Sequence, residues 1–158
     1  CLDFAPDVAA EGRKKVAQRI GSQPDFFASV DEALAYHGHA GEAANSLLRT
    51  RYEAFLEQRP EGLRLRRDLH YRDNFRETLR TGKSQPVNVD LWALLAGLHI
   101  PSLFVRGASS DMFAPETLAK VRAANPLAQA VEIAGSHDLA GDNPAGVIAE
   151  VRRFLASQ

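Results

Sequence analysis

The sequence predicts an α/β protein, in which a parallel sheet of about three strands with flanking helices is interrupted by a mainly helical insertion. Beyond residue 87, apolar runs of strand length alternate with helical patterns, as is typical of βα units. Residues 26–86 are more polar and mostly helical in pattern, which favours an insertion over another such unit. We therefore expect a core strand and helix in residues 1–25, the insertion in 26–86, and the remaining core in 87–158.

The composition narrows the class of protein. With 158 residues, 45% of them hydrophobic and 25% charged, the chain can bury a globular core. Nineteen lysines and arginines against 20 acidic residues argue against nucleic acid or a membrane as partner. A single cysteine excludes an internal disulfide and a thiolate zinc site. No apolar run approaches the roughly 18 residues that span a bilayer. We expect a cytoplasmic protein without cofactor or metal.

The first residues have the character of a buried strand that is about to end. Cys1-Leu-Asp-Phe4 is followed by Pro6 and Asp7, which open a helix. Because a natural amino terminus rarely begins inside a core element, we expect the chain to be the later part of a longer protein, whose missing part would hold any targeting signal. The next helix, over residues 7–20, has one face formed by Val8, Gly12, Val16 and Ile20.

The insertion begins with a capping box. Ser29 can accept the backbone N–H of Glu32, and Glu32 can reach back, so a helix should start here and run through Tyr36. The other expectations are a second helix over residues 43–58, a turn at 60–62, a short half-exposed strand at 63–66 and no clear periodicity at 70–75.

Regular alternation returns in the last part of the chain. The near-continuous apolar run Ile100–Val105 is typical of a strand buried on both faces. It follows a helix at residues 90–97, and a second strand is expected near 130–134. The remaining elements are a helix from Pro115 to Ala124 and a last helix with Val147, Ile148, Val151, Phe154 and Leu155 on one face.

Two consecutive strands thus end in loops that carry Asp111 and His137. If the strands are parallel neighbours, both side chains emerge at the same edge of the sheet and can meet. A carboxylate that accepts the imidazole Nδ1–H holds the tautomer in which Nε2 can act as a general base. The order acid and then histidine is that of hydrolases whose nucleophile precedes both residues.

These motifs resemble the carboxyl-terminal part of α/β-hydrolase-fold proteins of the single-domain esterase, lactonase, epoxide hydrolase and dehalogenase-like type. The resemblance covers the whole chain, the insertion only loosely as a cap domain. It rests on Leu2-Asp-Phe-Ala-Pro6, Leu91-Trp92, Ile100-Pro-Ser-Leu-Phe-Val-Arg-Gly-Ala-Ser-Ser-Asp111, Gly135-Ser-His-Asp-Leu-Ala-Gly-Asp-Asn-Pro144 and the terminal Arg-Arg-Phe-Leu155. It implies that Asp111 is the acid after the seventh strand of a catalytic triad and His137 the base after the eighth. It also leaves Asp3 as a rival acid, because some dehalogenase-like relatives place the acid after the sixth strand.

The nucleophile elbow of these hydrolases, Gly-x-Ser-x-Gly or an Asp or Cys version, does not occur in the sequence. We expect the nucleophile upstream of residue 1, and this fragment alone should be inactive. The missing half would come from the same protein or a second chain, since the first strand would otherwise expose an apolar edge. A homodimer is left open.

Three functions follow as hypotheses, each with a small-molecule substrate or ligand. The first is hydrolysis of carboxylic esters or lactones, in which an upstream serine attacks, His137 relays the proton and Asp111 orients His137. An upstream Asp would instead give epoxide hydrolysis or dehalogenation. The third is a non-catalytic binding module, against which the presence of both Asp111 and His137 weighs.

Several other side chains are weaker candidates for a functional role. Met112 and Phe113, directly after the proposed acid, could line an apolar substrate pocket. We expect structural roles for Asp138 and for Asp142, which resembles a helix cap. His37 and His39 invite a metal interpretation, but no third ligand has convincing spacing, and a solvated loop is favoured. For His70 and Tyr71, which also lie in the insertion, the sequence indicates no particular role.

Overall fold

The structure, a computed structural model, describes residues 1–83 and 88–158. The chain forms two units, a first unit of Cys1–Val16 with Pro86–Gln158 and a second unit of Ala17–Gln85. The boundary expected between residues 86 and 87 lies outside the described residues. The elements in chain order are α1 (Ala10–Gly21), α2 (Val30–Tyr36), α3 (Leu47–Phe55), β1 (Leu56–Arg59), β2 (Gly62–Leu65), α4 (Leu69–Thr81), α5 (Leu91–Ala96), β3 (Ser102–Gly107), α6 (Pro115–Ala124), β4 (Ala128–Ile133), α7 (Leu139–Asp142) and α8 (Pro144–Ala156).

The sheet of the first unit is parallel, as the sequence predicts. Strand β3 pairs with β4 in a register that sets Val105 opposite Val131. The first residues lie on the other side of β3, where Leu2 forms an isolated parallel bridge to Val105. The Asp3 N–H donates to the Val105 carbonyl at 2.7 Å, and the Val105 N–H donates to the Cys1 carbonyl at 2.9 Å. The predicted third strand is therefore present as a short paired segment.

Side chains cap the helices α5 and α8 of the first unit, whereas α1 begins at Ala10 rather than at the expected residue 7. Asp90 accepts the N–H of Ala93 at the start of α5, and Asn143 accepts the N–H of Gly146 at the start of α8. Helix α6 spans the predicted residues, whereas the short helix α7 was not predicted. The buried core of the unit consists of Ala5, Leu95, Phe104, Phe113, Val121, Ala128 and Ala130.

In the second unit the capping box is confirmed. Ser29 Oγ accepts the Glu32 N–H at 3.1 Å, and Glu32 reaches back to the N–H of Ala28. Helix α2 then ends at Tyr36, as predicted, and buries Ala33 and Leu34.

The expected helix over residues 43–58 is wrong at both ends. Helix α3 starts after its cap Ser46, and residues 56–59 form β1, which pairs with β2 as an antiparallel hairpin. This pairing buries Leu56 and Leu65 with Phe27, and the gain in burial outweighs the helical pattern of the sequence. The region at 70–75 is also corrected, because it lies within α4, which Asp68 caps.

Among residues 1–83 and 88–158, no helix combines the length and the apolar character needed to cross a membrane.

Candidate active site

The imidazole of His137 contacts the carboxylate of Asp3. His137 Nδ1 lies 2.8 Å from Asp3 Oδ2. The Asp3 side chain is fully buried, whereas that of His137 is 56% exposed. A buried carboxylate under a partly exposed imidazole is the arrangement that holds one ring nitrogen and leaves the other accessible.

The backbone and the partners of Asp3 both fit an acceptor role. Its φ of 45° is unusual for a residue with a side chain, and Asp and Asn tolerate this region best. Besides His137, the carboxylate accepts the Gly107 N–H at 2.8 Å and the hydroxyl of Ser110. Three donors on one buried carboxylate satisfy its charge. Because an ionised carboxylate can only accept, the Nδ1 atom of His137 that faces it must carry the proton, which selects the Nδ1–H tautomer of the ring.

The loop that carries His137 lies against the end of β3. A Cβ on Gly107 would lie 2.3 Å from the carbonyl oxygen of Ser136 and 2.6 Å from that of Gly135, so only glycine permits this approach. A further contact that holds the loop comes from Asp142, whose carboxylate accepts the Ser136 N–H at 2.7 Å. This hydrogen bond lowers the pKa of Asp142.

A hydrogen bond from Ser110 links the loop after β3 to the carboxylate of Asp3. The Ser110 hydroxyl donates to Asp3 and accepts the N–H groups of Met112 and Phe113 at 3.1 and 3.2 Å. Buried Arg106 reinforces this loop, because its guanidinium donates to the carbonyl oxygens of Ala108, Ser110 and Phe113. Nothing in the sequence distinguishes Ser110 from Ser109, so its role could not be predicted.

We expect Ser110→Ala to lower the free energy of unfolding by about 1–3 kcal/mol, because the change removes a donor to a buried carboxylate and leaves two N–H groups without their acceptor. Urea denaturation measures the difference. The control is Ser109→Ala, whose exposed hydroxyl donates to the Gly135 carbonyl at 2.9 Å; it should cost about 1 kcal/mol or less. Equal losses for the two variants would contradict the role given to Ser110.

Asp111 makes a different contact from the one expected. Its Oδ2 lies 2.9 Å from Lys15 Nζ, with the carboxylate 38% and the lysine 59% exposed. The acid bonded to His137 is Asp3, the rival considered from the sequence, and the expected contact with Asp111 is corrected accordingly. The carboxylate of Asp3 accepts the N–H of Gly107, the last residue of β3, whereas Asp111 lies four residues beyond this strand and pairs with Lys15 of α1.

The ion pair with Lys15 lowers the pKa of Asp111, first through its hydrogen bond, and the charge of His137 adds a minor part. We expect Lys15→Met to raise the pKa of Asp111 toward the ordinary value for aspartate, because the hydrogen bond and the charge of the lysine are lost. Because the pKa is depressed in the folded state, the pair stabilises the fold above the unfolded pKa and this contribution is lost as pH falls through the folded pKa. Both partners are partly exposed, so the effect on stability should be small.

Carboxyl ¹³C chemical shifts followed from pH 2 to 6 would measure this pKa in both proteins. Lys14→Met, on an exposed neighbour in α1, is the matched control and should leave the Asp111 titration unchanged. An identical titration in Lys15→Met and the parent protein would contradict the ion pair.

The other predicted site residues have separate positions. Phe113 has no exposed surface and packs in the core of the first unit, so its expected place in a pocket wall is corrected to core packing. Met112 is half-buried, and its carbonyl accepts the Ala9 N–H. Asp138 caps α7, whereas Asp142 holds the histidine loop rather than a helix start.

Within the described ranges, no group of three or more His, Cys, Asp or Glu side chains could hold a metal ion. His37 and His39 lie in the second unit, each with its ring against Tyr52. In the same unit, Tyr71 is 48% exposed and packs edge-on against Phe75, and His70 is exposed on α4.

No protein-family model matches the chain, and a search of curated proteins finds no match. Solved structures do match. The fold resembles E-2-(acetamidomethylene)succinate hydrolase with a TM-score of 0.73 at 22% identity, over 98% of this chain and 56% of that one. It also resembles an α/β hydrolase from Novosphingobium aromaticivorans, with a TM-score of 0.60 at 23% identity over 98% and 54%.

A third similar structure is an M. tuberculosis esterase, with a TM-score of 0.65 at 19% identity over 98% of this chain and 52% of that one. The chain thus spans about half the length of these hydrolases. At such identities the likeness concerns the fold. With its parallel strands, its helices and almost its whole length superimposed on these structures, the chain has the α/β-hydrolase fold, of which it forms the carboxyl-terminal part.

Proposed function

We propose that the chain supplies the acid and the base of a nucleophile-histidine-acid triad in a cofactor-free hydrolase of carboxylic esters or lactones. The observation that carries the proposal is the 2.8 Å contact between His137 Nδ1 and the buried Asp3 carboxylate. In this scheme Asp3, rather than Asp111, orients His137 and stabilises the imidazolium.

The nucleophile would be a serine in the part of the hydrolase fold that this chain does not span. His137 Nε2 would take the serine proton as the hydroxyl attacks the ester carbonyl, and would then protonate the leaving alcohol. Water, activated by the same nitrogen, would release the acid from the acyl-enzyme. An oxyanion hole would also have to come from outside this chain.

The similar structures support the reaction class. They include hydrolases and esterases and, at a TM-score of 0.58, a thioesterase domain from the curacin biosynthetic pathway. All of these names refer to hydrolysis, and the ester and thioester names to acyl transfer to water. A small-molecule ester with an apolar acyl or alcohol part is the substrate class we propose.

The test is turnover of p-nitrophenyl butyrate by the full-length protein and its His137→Ala variant. We expect the variant to lose activity on the order of 10²–10⁴-fold, because it lacks the general base. The control is His99→Ala, an exposed histidine before β3 that should leave the rate unchanged. Equal rates for His137→Ala and the parent protein would remove His137 from the mechanism.

The position of Asp3 favours one alternative. In dehalogenase-like relatives with an Asp nucleophile, an acid after the sixth strand assists the histidine that activates water. The full-length protein would then open epoxides or displace halide through an alkyl-enzyme ester. Mass spectrometry of His137→Ala incubated with an epoxide or a haloalkane separates the two mechanisms. An ionised aspartate attacks without a base, so an alkyl group trapped on aspartate supports the alternative. The esterase mechanism predicts no trapped group in this variant, since the serine needs His137 as its base.

A further inference from the structure

The second unit contains a cavity of about 280 Å³ with an unusual lining. Its polar walls are formed by basic side chains, namely Arg19, His37, His39 and Arg67. We call this cavity the basic pocket. Its volume lies just below the roughly 300–1,000 Å³ of sites for drug-sized ligands, so it suits a smaller molecule.

The two arginines of the basic pocket lack acidic partners. Within residues 1–83 and 88–158, no carboxylate lies within salt-bridge distance of Arg19 or Arg67, although the unit forms several other ion pairs. Arg67 is half-buried and donates one N–H to Gln23 Oε1 at 3.2 Å. Among the described residues the two guanidinium groups thus have no acidic partner, so their remaining donors can pair with an anion that enters the cavity.

The charges of the arginines contribute to the pKa of a histidine in the cavity. The pKa of His37 is lowered, first by burial and then by the charges of Arg19, Arg67 and His39. The two permanent cations beside His37 disfavour a metal ion there, since the arginines repel it. The same field attracts an anion, and guanidinium groups pair with carboxylates through two parallel hydrogen bonds.

The rest of the lining is apolar and aromatic. Tyr52 packs against both histidines, with ring centroids 5.6 Å from His37 and 6.2 Å from His39. Phe55 also lines the cavity and is 51% exposed, which leaves a large apolar face open to a ligand. Tyr36 contacts the backbone beside the cavity, because its hydroxyl donates to the Arg19 carbonyl at 2.7 Å.

We propose that the basic pocket binds a small organic anion, a carboxylate with a planar apolar body. The carboxylate pairs with Arg67 and Arg19, and the apolar body packs against Tyr52 and Phe55. The proposal is independent of the triad, because it uses neither Asp3 nor His137. It depends only on the residues that line the cavity of the second unit.

Titration calorimetry with benzoate at low ionic strength tests the proposal on the full-length protein. Benzoate should bind, whereas benzamide, of similar shape but neutral, should bind at least about tenfold more weakly. Arg67→Gln should weaken benzoate binding at least about tenfold, while Arg66→Gln, the exposed neighbour, should leave it unchanged.

Because Arg67 also bonds buried Gln23, circular dichroism should verify that its variant is folded, and Arg19→Gln, on an exposed side chain, provides a second test. A second readout is the ring of His37, followed by NMR. Bound benzoate offsets the arginine charges and should raise the pKa of His37, whereas benzamide should not. Equal affinity for benzoate and benzamide, an unchanged affinity in Arg19→Gln, or no binding would each overturn the proposal.

Discussion

Asp3→Asn should reduce ester hydrolysis by the full-length protein by about 10⁴-fold, the size of effect seen when a triad carboxylate becomes an amide. The amide NH₂ would face His137 Nδ1, so the ring would adopt the wrong tautomer and Nε2 would lose its lone pair. Asparagine tolerates the positive φ at this position, so the backbone should remain in place. Steady-state kinetics with p-nitrophenyl butyrate measures the loss.

The matched control is Asp111→Asn, which removes the other candidate carboxylate. Asp111 is partly exposed and paired with Lys15, so its neutralisation should change the rate by no more than about threefold. The reverse result, a large loss for Asp111→Asn and a small one for Asp3→Asn, would show that the resting contact of His137 is not the one used in catalysis.

Gly107→Ala should damage both stability and activity. The added Cβ would collide with the carbonyl oxygens of Ser136 and Gly135, which belong to the backbone and can yield only if the histidine loop moves. We expect the free energy of unfolding to fall by about 1–3 kcal/mol. Displacing His137 by even about 1 Å can cost about 10²-fold in rate. Urea denaturation and ester turnover measure the two effects.

Gly97→Ala is the control for the general effect of replacing a glycine. Gly97 has a φ of −85°, and the nearest atom to an added Cβ, the Ala93 carbonyl oxygen, is 3.4 Å away. This variant should be neutral or stabilised by up to about 1 kcal/mol. Wild-type stability and rate in Gly107→Ala would mean that the loop does not lie against the end of β3.

The position of His137 and the strands of the first unit could be predicted from the sequence, because local signals mark them. Strand β3 is an apolar run of strand length, and helix α6 begins with Pro115 at the position where proline is favoured. Such local signals agree with the fold, so the loop that carries His137 could be placed at the sheet edge. The parallel pairing of β3 with β4 follows from the same alternation.

The identity of the acid could not be settled in the same way. Asp3 and Asp111 both follow strands of one sheet, and sequence order does not tell which carboxylate turns inward. The decision depends on long-range partners, Gly107 and Ser110 for Asp3 and Lys15 for Asp111. Strand β1 was missed for a related reason, since the burial of Leu56 in the hairpin rather than periodicity defines it. Helix α4 has no buried residue, and the signal that was overlooked there is the cap Asp68.

The contact between Asp3 and His137 joins residues that are 134 positions apart. The second unit is one continuous stretch, whereas the first unit consists of two segments that must find each other. Closing so long a loop costs conformational entropy, and contacts of this range form slowly. The imidazole of His137 is therefore oriented only when the two segments of the first unit have met, whereas the local helices need no such long-range contact.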